Sequence, residues 1–155
     1  MANLTAWSVY RQVPDIGDEQ FEVIKEELAR SCHAFGFAYN YMDFDGELTE
    51  ELVDDVRNVP EGGQINTVHT LILLVVPGGP VPNAVKLVQI LELEFVEGEG
   101  ESYHKRPAAA ECRYLWVAAK GASLVLANLD IANSSFEEEE DNTGENRLID
   151  CDGEW

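Results

Sequence analysis

The feature that most constrains this chain is the run Leu71-Ile72-Leu73-Leu74-Val75-Val76, in which no polar residue interrupts the apolar ones. It is far shorter than the roughly 20 residues a membrane helix needs. Turn residues bound it, with Pro77-Gly78-Gly79-Pro80-Val81-Pro82 directly after it. A short unbroken apolar run of this kind predicts a strand buried on both faces, which needs covering layers on each side. The prolines that follow forbid regular structure. Beyond them, Val85 to Val96 predicts a second long strand. One of its faces carries Val85, Leu87, Leu91, Leu93 and Phe95, broken by Gln89, and the other carries Lys86, Val88, Ile90, Glu92, Glu94 and Val96. The proline-rich bend should therefore join two neighbouring strands of a sheet.

The remaining pattern mixes periods. Trp7 and Val9 suggest a short strand. Asp18 to Ser31 predicts a helix, with Asp18 as its cap and Phe21, Ile24 and Leu28 on one stripe. From Ala34 to Phe44 aromatic residues alternate, as in a strand. A second helix is expected from Thr49, ended by Pro60 and Gly62-Gly63. Ala108 to Lys120 has helical propensity with Gly121 as its C-terminal cap, and Ser123 to Ile131 suits either strand or helix. The sum is a β-rich α+β domain over residues 1–136. Residues 137–155 hold nine acids against Arg147 and are expected to be a disordered acidic tail.

Charge excludes several classes of function. Thirty Asp and Glu against ten Lys and Arg leave a formal charge of −20, so direct nucleic-acid binding is not expected. No membrane span or secretory signal is expected. Three cysteines, Cys32, Cys112 and Cys151, suit free thiols in a reducing compartment.

Chemistry is sparse. Cys and His lack zinc-ligand spacing, no serine sits in a nucleophile elbow, and the glycine pairs lack a phosphate-binding lysine. No enzyme and no cofactor are expected. The one metal candidate is calcium. Asp43, Asp45, Glu47, Thr49, Glu51 and Asp54 fall at the oxygen-ligand positions of an EF-hand-like loop, although Leu48 stands where the turn glycine belongs.

Ordered segments from Pro14 to Ile131 resemble the C-terminal part of a nodavirus-like capsid protein. They include Phe35-Gly36-Phe37, Asp43-Phe44, Val59-Pro60, His69-Thr70 with the apolar strand to Pro77, Val81-Pro82-Asn83-Ala84, and the Leu87 to Phe95 strand. The resemblance implies the closing half of a viral jelly-roll β-sandwich with short helices. Family chains are longer and begin with a basic arm, so another chain or subunit would have to complete the fold. It also implies calcium between subunits, with Asp43 and Asp45 as the candidate ligands.

The leading expectation is thus a structural capsid or shell subunit, without catalysis, that assembles through sheet edges and loops. Its partners would be copies of itself and a companion capsid chain carrying the basic arm. Its place would be the virion and the host cytoplasm. Open strand edges pair readily with other chains, and Trp7, Tyr10, Val88, Ile90, Val96 and Trp116 are the expected interface residues. The alternative is an acidic nucleic-acid mimic that blocks a basic DNA- or RNA-handling protein.

Overall fold

The computed structural model describes residues 5–13, 15–30, 37–45, 70–90, 93–98, 101–105, 112–130, 135–141, 143–145 and 147–149. The helix expected from Thr49 lies outside these residues. Among them, β1 (Thr5–Val13) leads through α1 (Asp18–Ala29) to β2 (Phe37–Asp45), which lies parallel to β1. Strand β3 (Leu71–Val75) lies parallel to β1 on its other side and antiparallel to β4 (Ala84–Gln89). Strand β7 (Arg113–Ala118) pairs antiparallel with β4. A 3-10 turn (Ala119–Gly121), α2 (Ala122–Asp130) and α3 (Phe136–Asp141) then lead to the two-residue β8 (Leu148–Ile149), parallel to β7. The sheet order is β2-β1-β3-β4-β7-β8, and β5 (Glu94–Gly98) with β6 (Glu101–Lys105) forms a separate hairpin.

Side-chain alternation explains the layers. On one face of the sheet, Trp7 and Val9 of β1, Leu71 and Leu73 of β3, Leu87 of β4 and Leu115 of β7 form one core. Phe21, Ile24 and Leu28 of α1 pack into it, as do Val125 and Leu126 of α2 and Phe136 of α3. The intervening residues Tyr10, Ile72, Leu74, Val88 and Ile90 form a second core on the opposite face. Strand β3 is buried throughout, as an unbroken apolar run requires. The fold is a β-rich α+β arrangement.

Four expectations change. The strand predicted over Val85–Val96 divides: β4 stops at Gln89, and Glu94 begins the hairpin. Residues 113–118, expected to be helical, form β7, where Leu115 and Val117 enter the first core while Tyr114 packs against the second. That period of two outweighs the helix propensity of the neighbouring alanines. The acidic segment contains a helix and a paired strand. Gly17 caps α1 rather than Asp18, which sits in the first turn.

Three of the five pairings in the large sheet are parallel. A jelly roll is built from antiparallel Greek keys. The two apolar segments flanking the proline bend do lie side by side, with Leu73 opposite Leu87.

Candidate functional site

Strands β1 and β3 are parallel neighbours, but their connections leave toward opposite edges of the sheet. After β1 the chain turns at Asp15–Gly17 into α1 and continues to β2. After β3 it turns through residues 76–83 into β4. Diverging connections at such a switch point leave a crevice at the carboxyl ends of the strands, which is where α/β sheets commonly bind ligands. A cavity of about 420 Å³ lies there, lined by Asp15, Ile16 and Gln20 from one connection and by Val76 to Asn83 from the other.

The proline-rich wall has a defined shape. Gly78 adopts φ +96°, a conformation that glycine accepts without a Cβ clash. A Cβ on Gly79 would stand 3.0 Å from Ala84 Cβ and 3.3 Å from the Trp116 ring, so this backbone packs on the sheet. Asn83 adopts φ +61°, which asparagine tolerates better than most residues. Its carbonyl accepts the Ala119 N–H at 3.1 Å, tying the loop to the end of β7. Asp15 is the one ionisable residue among those lining the cavity. No described residue hydrogen-bonds to the side chains of Asp15, Gln20 or Asn83.

Elsewhere several cations are already occupied, while Arg30 and Lys120 stand exposed. Arg11 donates Nε and Nη2 to the two carboxylate oxygens of Asp43 at 2.9 and 3.0 Å, and Nη1 to Asp18 at 2.7 Å. These bonds, those to Asp43 foremost, push the guanidinium above its ordinary pKa, and Arg11 holds the Asp43 carboxyl below its own. Lys25 pairs with Glu22 at 2.6 Å and lies over the Phe21 ring. Lys86 sits 4.2 Å from the Tyr114 ring centroid, and burial pushes its ammonium pKa down. Arg113 binds Glu137 and Glu140, while Arg147 binds Glu140 and the Tyr114 carbonyl. The exposed positions of α1 and α3 include Glu19, Glu22, Glu26, Glu138 and Asp141.

Of the residues expected at an interface, Trp7, Tyr10, Val88, Ile90 and Trp116 are between 0 and 8% exposed within this chain. Trp7 belongs to the first core and Tyr10, Val88 and Ile90 to the second, while the Trp116 ring stands beside Tyr114 and Gly79. Val96 pairs through its backbone with Tyr103 in the hairpin. Asp43 lies within a regular strand rather than a loop, and Arg11 occupies its carboxylate. Asp45 ends the same strand. Among the described residues no group of three or more His, Cys, Asp or Glu side chains could hold a metal ion. In the sequence the proline-rich segment is only a bend; the parallel pairing of β1 with β3 makes it one wall of a crevice.

No known family model matches the chain, and neither the curated proteins nor the solved structures contain a significant match to it.

Proposed function

We propose that the protein is a non-catalytic acidic binding module that engages a basic partner protein, presenting carboxylates where nucleic acid would present phosphates. The observation that carries this reading is the asymmetry of charge placement. Arg11, Lys25, Lys86, Arg113 and Arg147 are all held by the chain's own carboxylates or aromatic rings. Exposed carboxylates outside these pairs, Glu19, Glu26, Glu138 and Asp141 among them, outnumber the exposed basic residues Arg30 and Lys120. A field of this sign speeds the approach of basic proteins and repels nucleic acid.

Calorimetric titration with an oligoarginine peptide, and with a basic nucleic-acid-binding protein, tests this. Affinity should fall steeply as salt is raised, and duplex DNA should compete for the basic protein. Absence of binding at about 50 mM salt, where surface charge is weakly screened, would sink the proposal.

The shell-subunit reading keeps one support. Among the described residues β2 has a neighbour on one side only, and an edge of nine residues is a template for another strand. The finer form of that reading, a jelly roll completed by a companion chain, would have to accommodate the parallel pairs. Sedimentation separates the two: large closed particles, alone or with such a chain, favour the shell, while monomers that bind basic peptide favour the module.

A further inference from the structure

The acidic-module reading leaves open where a partner's side chain would be gripped, and the inference that follows rests on that reading. We infer that the crevice at the carboxyl ends of β1 and β3 takes an arginine side chain of the basic partner. Asp15, the one ionisable lining residue, supplies a carboxylate with no described partner inside the chain. Gln20 and Asn83 add two amide oxygens that are equally unengaged. A guanidinium brings five donors in a planar fork. A carboxylate accepts two of them in parallel, and amide oxygens can accept others. Val76, Pro77 and Pro80 provide apolar wall for the methylene stem. The volume of about 420 Å³ admits such a side chain with some of its own backbone.

Two features sharpen the choice. The wall is shaped before anything binds, through Gly78, the Gly79 contact with Trp116 and the Asn83–Ala119 hydrogen bond. A prearranged wall loses little conformational freedom on binding. The start of α1 opens nearby, yet Asp15, Asp18 and Glu19 surround it with negative charge, which disfavours a phosphate or carboxylate ligand. An ammonium group has three donors and no planar fork, so lysine fits the same acceptors less well.

The test is NMR titration of the full chain with oligoarginine and, in parallel, oligolysine of the same length. Arginine should shift amides of residues 15–20 and 78–84 first. Asp15→Asn should weaken oligoarginine binding about tenfold, the scale of losing a hydrogen bond to a charged group. Asp130→Asn makes the same charge change on α2, outside the crevice lining, and should alter affinity less than about twofold. If oligoarginine binds wild type and Asp15→Asn equally, with shifts spread over α1 and α3, the crevice assignment fails and the acidic module survives. If neither peptide binds, both fail. Equal affinity and equal crevice shifts for oligolysine would overturn the preference for arginine.

Discussion

Ser123 shows how one small residue ties distant elements together. It is fully buried, accepts the Tyr39 hydroxyl at 2.6 Å and donates to the Leu28 carbonyl at 3.3 Å. It thereby links β2, the end of α1 and the start of α2. Ser123→Ala removes both bonds and should lower stability by about 1–2 kcal/mol, measured by urea denaturation. A change within error would mean the hydroxyls find equivalent partners. At this scale much was legible beforehand. Phe21, Ile24 and Leu28 recur at helical spacing, and all three are buried on α1. Ser123 carried no such signal, because its importance comes from residues 84 and 95 positions away.

At the scale of elements, the C-terminal segment is held by charge. Glu140 receives Arg147 at 2.7 Å and Arg113 at 2.9 Å, so one carboxylate joins α3, β7 and the approach to β8. Ser135 accepts the Glu138 N–H at 3.2 Å and caps α3, while Phe136 anchors it in the core. These contacts explain how a stretch dense in acids adopts structure: its carboxylates meet arginines drawn from β7 and from its own sequence. Glu140→Gln should raise amide exchange at Leu148 and Ile149 while leaving the β3 amides unchanged. Unaltered exchange at β8 would show that β7 pairing alone suffices.

The same clamp sets a pH response. Arg147 and then Arg113 hold the Glu140 carboxyl below its ordinary value of 4.5. A depressed folded-state value means the contribution is complete above pH 4.5 and is lost as pH falls through the lowered value. Protection of β8 should therefore fade on acidification below that point, measured by exchange at several pH values. Protection that rises on acidification would contradict the clamp.

For the whole molecule, a formal charge of −20 on 155 residues opposes compaction. Salt screens this repulsion, with a Debye length of about 30 Å at 0.01 M and about 8 Å at 0.15 M. The ion pairs among the described residues, which salt also weakens, are mostly at the surface and contribute little. The melting temperature should thus rise as sodium chloride increases across that range, followed by circular dichroism. A steady fall would mean that the ion pairs outweigh the net repulsion. The same experiment separates stability from recognition, since salt should strengthen the fold while weakening capture of a basic peptide.

What the sequence determined by itself was local: the stripe of α1, the double burial of β3, the start of β4, the alternation of β2 and the overall charge. Each depends on the spacing of neighbouring side chains, which is written directly in the chain. Tertiary structure decided the strand at residues 113–118, the burial of Trp7, Tyr10, Val88, Ile90 and Trp116, the docking of the acidic segment and the crevice beside Asp15. Those depend on pairing between residues far apart. Parallel alignment of β1 with β3 cannot be read from either strand, yet it alone brings Asp15 opposite the proline-rich loop.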